Sequence, residues 1–419
     1  MHPIPHIRPF PHRKGKRRRL HGGNLSPQQQ LFHRLGSFFR AAFFVMLAVF
    51  LCTHYTLFTA DSFQNIASYL KAGSSADADD LYAITFPDTA DMAIPFGNGL
   101  AVTEKGGLSV CLPGALTQLK VSLSYSDIAA DASSQYILMY NKNGTDLTLT
   151  NSAAEIGSLS LNSPILSARM GEHNTFSVIT DESGYRTAVT VYNDSLKQTY
   201  KWSSSEYYIM SADLSPDDKR MAAVGFQQKG ADITSSLFYF NLNSDQKAKT
   251  VKLGNSIPLR VDYLSGGTVA VLCQNSLTLL DRRGNILVQK TFSPSDLLSY
   301  DTADGQAALG LKSYTRSARS DLYIIEDNGS ISDPLSLEED VRTISLNHDR
   351  LAVMTTNQVM IYDKNLTPLY HYDDVLSAKD VILKEDGSFY LVYAKYAMIL
   401  TRSDSEEVSG SFLSQFTGK

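Results

Sequence analysis

Residues 269–284 read VAVLCQNSLTLLDRRG, and this stretch decides the fold. Val269–Leu272 is a short, continuously apolar run, a second run ends at Leu280, and Asp281-Arg282-Arg283-Gly284 then supplies residues that bond their own backbone or tolerate positive φ. A run of four to eight apolar residues bounded by turn signals reads as a strand buried on both faces. The same unit recurs outward in both directions. Its middle strand returns at Leu100–Thr103, Phe176–Ile179, Met221–Val224, Ala307–Leu311, Leu351–Met354 and Phe389–Tyr393. The strands that follow end at Leu112, Leu149, Tyr192, Phe240, Leu280, Ile325, Tyr362 and Leu400, spaced 37 to 48 residues apart. A repeat of about 40 residues carrying four strands is what a β-propeller blade requires.

Counting gives eight units, so the expected fold is all-β, an eight-bladed β-propeller over residues 81–402; merging two weak units gives seven blades as the alternative. The eighth unit, from Ala378 to Thr401, yields three strands, while Leu81–Pro87 (LYAITFP) is a lone strand without a blade. The opening strand is therefore expected to complete the last blade and remove an open sheet edge. Phe412–Phe416, in the polar tail 403–419, is the competing source of that fourth strand.

Ahead of the repeats lies Ala41–Ala60 (AAFFVMLAVFLCTHYTLFTA), about the 20 apolar residues a membrane-crossing helix needs. Its first dozen residues are apolar on every helical face, unlike a buried core helix. Phe58 is a poor residue three before a cleavage site, so the expectation is an uncleaved anchor. Nine of the 38 Lys and Arg precede it with no Asp or Glu, leaving 29 cations against 43 acids and a charge near −14 in the rest. The positive-inside rule then places residues 1–40, a basic segment too poor in apolar residues to fold, in the cytoplasm and the repeats outside. An acidic body excludes nucleic acid as its partner. Arg13, Lys14, Lys16, Arg17, Arg18 and Arg19 would sit at the lipid surface, each worth about 1 kcal/mol against anionic headgroups, or would simply set topology. Residues 61–80 read as a short juxtamembrane helix, with Phe63, Ile66, Ala67 and Leu70 at helical spacing, followed by a small, acidic stalk.

The basic leader, single span, stalk and a propeller opening with Ile84-Thr85-Phe86-Pro87 and Gly97–Val102 (GNGLAV) resemble a family of membrane-anchored β-propellers from Gram-positive, Clostridia-type bacteria, a domain-of-unknown-function family. The resemblance implies the architecture and no reaction or catalytic residues. Ser215-Pro216-Asp217-Asp218-Lys219 is similar to the hairpin of periplasmic propellers of the Tol system, with Asp218 where Gly is usual.

Motifs for chemistry are sparse. No nucleophile elbow, phosphate-binding glycine loop or zincin helix is present. A quinone-dependent propeller would carry a tryptophan in each blade, and Trp202 stands alone. His173, His348 and His371 lack zinc-ligand spacing, and the acidic pairs Asp217-Asp218 and Glu385-Asp386 lack a calcium-loop frame, so no cofactor or metal is expected. Cys111 and Cys273 fall in the first and fifth blades, too far apart to bridge. What remains is the central channel. Arg169, Asp213, Asp262, Asp301, Arg342 and Asp380 occupy roughly equivalent places on innermost strands, as a polar funnel for a ligand or as a ring of mutually paired charges. The expected function is a non-catalytic binding or scaffold module for an envelope protein or cell-wall glycan. The alternative is an extracellular glycan hydrolase or lyase using carboxylates such as Asp213 and Asp262.

Overall fold

The computed structural model describes residues 43–46, 83–114, 116–244, 248–314, 319–404 and 406–407. The chain divides into two units, Met1–Tyr55 and Thr56–Lys419. In the first, residues 43–46 are helical, and among the described residues no helix is long and apolar enough to cross a membrane. The expected span 41–60 otherwise lies outside the described residues, as do the basic segment with Arg13–Arg19, the stretch 61–80 and Phe412–Phe416.

The second unit holds eight antiparallel sheets, the blades of a propeller, at residues 92–122, 128–160, 165–204, 208–254, 258–291, 297–337, 343–372 and 380–400. Seven take their four strands from consecutive sequence. The eighth takes its outermost strand from Ala83–Thr85, which pairs antiparallel with Tyr396–Met398, so the start of the domain closes the ring. Blade 7 gains a fifth strand, Glu406–Glu407, against Tyr370 and His371, which uses part of the polar tail. Blade 2 has its middle strand at Tyr136–Asn141, a position missing from the series of apolar runs although Ile137-Leu138-Met139 carries the same signal.

Why these runs are apolar throughout follows from where the core sits. Among the described residues it separates into eight clusters, one at each junction between neighbouring blades. Successive strand residues point to opposite faces. Met221 and Ala223 therefore pack toward blade 3 while Ala222 and Val224 pack toward blade 5. A middle strand thus has no solvent face to mark with polar residues. Outermost strands do alternate, as in Lys249–Gly254, where Val251 and Leu253 turn inward between exposed neighbours. At the closure, Ile84 and Phe86 are buried with Leu100, Val102, Tyr390 and Ala397, so the closing strand is held by packing as well as by its ladder.

All innermost strands run the same way. Turns joining first to second strands therefore gather on one face of the ring, here the hairpin face, and the links between blades gather on the other, the connection face. On the hairpin face Asp218 stands at φ 53, a left-handed conformation that usually favours glycine. Its carboxylate offsets that cost by accepting the backbone N–H of Asn174 in the blade 3 hairpin at 3.2 Å, a bond glycine could not make. The departure from the usual hairpin is thus a tie between blades.

Candidate functional site: the charged channel

Three of the six expected channel residues meet, Asp301 stands one blade further on, and the other two lie apart. Arg169, Asp213 and Asp262 are next to last on the innermost strands of blades 3, 4 and 5, and Asp301 lies near the end of that of blade 6. The Arg169 guanidinium lies 3.6 Å from Asp213 Oδ1 and 3.0 Å from Asp262 Oδ1, and donates to the Val261 carbonyl at 2.7 Å. One side chain therefore ties three blades. Arg342 stands instead just before its innermost strand and Asp380 at the start of its own: Arg342 donates to the Ala378 carbonyl at 2.9 Å, and Asp380 accepts from the Thr343 hydroxyl at 2.9 Å. These two bridge blades 7 and 8 at the connection face.

Asp262 is the most enclosed member, its side chain 3 % exposed. Beyond Arg169, it takes Arg260 Nε on both oxygens at 2.8 and 3.0 Å and the Tyr300 hydroxyl at 3.1 Å. Burial works against its charge, yet Arg169 and Arg260 outweigh that penalty and hold its pKa below the usual carboxylate value. Asp213 has a weaker partner. Burial, with Asp262 adding repulsion, lifts it to about 6 despite Arg169. Asp301 is lifted to about 6, chiefly by burial.

A second pattern explains the aspartates. Asp131 Oδ2 accepts the backbone N–H of Met170 at 2.9 Å, Asp213 Oδ2 that of Tyr263 at 2.7 Å, and Asp301 Oδ2 that of Leu346 at 2.8 Å. Each bond runs from an even blade to the next. Two residues earlier, Ser211 and Ser299 accept the N–H groups of Val261 and Ile344 at 3.2 and 3.1 Å. The motif Ser-x-Asp on an innermost strand is therefore an inter-blade clasp. Sequence reasoning missed Asp131, Arg260 and Tyr300. Asp131 was findable, being next to last on its strand like Arg169; Arg260 and Tyr300 gave no signal, because their role depends on which neighbour each faces.

A cavity of about 440 Å³ opens on the hairpin face beside this cluster, lined in part by Ser133, Ser134, Arg169, Asp213, Arg260 and Thr302. Acid–base catalysis on a glycan needs two carboxylates free to meet substrate. Asp262 has both oxygens engaged, and Asp213 divides its two between Tyr263 and Arg169. The arrangement is a paired, load-sharing clamp. His348 Nδ1 meets Asp304 Oδ2 at 2.7 Å across blades 6 and 7, His371 Nε2 lies 3.8 Å from Asp373, and His173 lies in the blade 3 hairpin. Among the described residues no group of three His, Cys, Asp or Glu could hold a metal ion. Cys111 and Cys273 are buried free thiols in blades 1 and 5, and burial raises their pKa to about 12 and about 11.

The fold and its internally paired channel define the class: an eight-bladed β-propeller. The chain belongs to the Family of unknown function (DUF5711), whose model matches residues 83–399. It is similar in structure to BamB from Moraxella catarrhalis, at 12 % identity over 75 % of this chain and 99 % of that one, with a TM-score of 0.50. It is likewise similar to the C-terminal WD40 domain of Sif2, at 13 % identity over 75 % and 97 % with a TM-score of 0.50. A structure described as the eukaryotic initiation factor matches at 10 % identity over 73 % and 82 %, with a TM-score of 0.51. No curated protein sequence matches the chain. At such identities the likeness shows the fold.

Proposed function

We propose that the protein is a non-catalytic binding or scaffold module, held by one membrane span with its propeller outside the cytoplasm, where it recognises an envelope protein or a cell-wall glycan. The observation that carries this reading is the channel itself. Its charged groups are occupied in joining blades through Arg169, Asp213, Asp262 and Asp301, which makes a rigid ring and leaves the outer faces as the surfaces for recognition. Similarity to a WD40 domain and to BamB supports a scaffold fold. The apolar stretch 41–60 behind a wholly basic leader supports the anchor and its orientation.

Crosslinking in intact cells, followed by mass spectrometry of the purified full-length chain, tests it. A partner recovered reproducibly, and still recovered from an Asp213→Asn variant, is expected. Turnover of a glycan that Asp213→Asn abolishes while the melting temperature holds would replace this reading with the hydrolase or lyase one.

A further inference from the structure

The ring's two faces differ. Apart from Ile286 and Leu287 on an outermost strand, the exposed large apolar side chains of the described ring lie in inter-blade links, in second-to-third-strand turns, in the first three residues of innermost strands or, for Tyr396, at the first residue of a third strand. All of these belong to the connection face or its rim. Three of them, Met92, Leu376 and Tyr396, fall where blades 7, 8 and 1 meet.

Three segments are stitched together there. Lys379 donates through its backbone N–H to Val392 at 2.7 Å and through Nζ to the Ala90 carbonyl at 2.9 Å. Ala90 N–H donates to Ala394 at 2.8 Å, and the Tyr393 hydroxyl donates to the Asp374 carbonyl at 3.1 Å. Between them opens a cleft of about 320 Å³ lined by Asp91, Thr343, Lys379 and Asp380 as well as by Ala90, Met92 and Val392.

Leu376 stands on the link between blades 7 and 8, three residues before Lys379, and is 82 % exposed. The exposure is built, because Val375 and Ala378 on either side are buried and Ser377 holds a left-handed φ of 67 that turns the chain between them. Met92 is 43 % exposed, and Tyr396 is 41 % exposed while its ring stacks on Tyr393 at 4.6 Å. The rim is acidic. Asp88, Asp91, Asp373 and Asp374 are exposed, and the carboxylates of Asp91 and Asp374 accept no bond from described residues. Against them stand Lys379, whose ammonium is already committed to Ala90, and Lys395.

We infer that this junction docks a segment of a partner protein in which a Lys or Arg lies beside an apolar side chain. The apolar residue packs on the exposed Met92 and Leu376, and the cation settles over the Tyr396 ring within reach of Asp374 and Asp91. A cation over an aromatic face gains more when a carboxylate stands beside it. Aliphatic Leu376 and Met92, and four exposed carboxylates against two lysines, favour a segment that is both apolar and basic over a neutral sugar, which brings no positive charge. This inference rests on the scaffold reading and specifies the face and the chemistry of what binds.

The test pans a phage-displayed random dodecapeptide library on the full-length chain. Enriched peptides should pair Lys or Arg with Leu, Ile, Met or Phe. A synthetic copy should lose about tenfold or more in affinity on Leu376→Asp and on Tyr396→Ala. Asp91→Asn with Asp374→Asn should weaken it several-fold and reduce its salt dependence, with Ile286→Asp unchanged. Leu376 is exposed, so thermal melting should not move. Failure to enrich any peptide, or enrichment of acidic ones, overturns the inference. Peptides that bind wild type and Leu376→Asp equally also overturn it, while leaving a scaffold that docks elsewhere. Soluble peptidoglycan fragments that bind wild type but not Leu376→Asp would assign the face to glycan instead.

Discussion

Replacing Arg169 by Met removes the one guanidinium that joins blades 3, 4 and 5 and keeps most of its volume. Three contacts go: Asp262 at 3.0 Å, Asp213 at 3.6 Å and the Val261 carbonyl at 2.7 Å. Breaking a buried ion pair by deleting one partner typically costs about 3–5 kcal/mol. Here Asp262 keeps Arg260 and Tyr300, and the Arg169 side chain is 25 % exposed, so the loss should fall lower, at about 2–3 kcal/mol. The deficit should also depend on pH. Asp213 already titrates at about 6 in the folded ring, above its ordinary 3.8, and Arg169 is the group that restrains it. Without Arg169 the folded value rises further. A folded value above the unfolded one gives stability that is full at low pH and lost as pH rises through the folded value. The variant should therefore be more impaired at pH 8 than at pH 5, by on the order of 1–2 kcal/mol, since each pKa unit is worth about 1.4. Urea unfolding at both pH values, read by fluorescence, suits the measurement. Trp202, the only tryptophan, packs 5.1 and 5.0 Å from the rings of Phe238 and Phe240, at the junction of blades 3 and 4. A loss below about 0.5 kcal/mol, the scale of an ordinary surface substitution, or an equal loss at both pH values, would refute the clamp.

Asp213→Asn and Asp301→Asn should together flatten the fall in stability between pH 4 and pH 7, because both carboxyls have folded values of about 6 and lose their stabilising proton across that window; denaturant midpoints across the range check it. Ile84→Asp should open the ring, since Ile84 is wholly buried in the closing strand, and should cost more than about 3 kcal/mol with increased hydrogen exchange in Tyr396–Leu400. Cys111 and Cys273 should resist iodoacetamide at pH 8 until urea unfolds the ring, after which both gain the mass of the adduct; rapid native labelling would contradict their burial.

Much of the fold was legible because a propeller writes its period into sequence. Leu112, Leu149, Tyr192, Phe240, Leu280, Ile325, Tyr362 and Leu400, chosen as strand ends, all lie in or at the end of third strands, one per blade. The closure by residues near Ile84 was legible as well, since a blade short of one strand and a strand short of a blade imply each other. The channel was legible only in part. Residue type and strand position mark Arg169, Asp213, Asp262 and Asp301 as neighbours, but which bond an aspartate makes depends on the stagger between blades. Asp213 meets Tyr263 and Asp301 meets Leu346, 50 and 45 residues on. The exposure of Leu376 was hidden too, because Val375-Leu376 reads as any apolar pair until the backbone turn at Ser377 separates them.

The claim that the ring is displayed outside the cytoplasm meets its most direct test in Ile286→Cys, placed on a side chain 52 % exposed at the outer edge of blade 5, in a chain with Cys52→Ser. Its buried Cys111 and Cys273 supply no competing thiol. A membrane-impermeant maleimide should label this variant as fully in intact cells as in permeabilised ones. Labelling that appears only after permeabilisation would place the propeller on the cytoplasmic side and contradict the account.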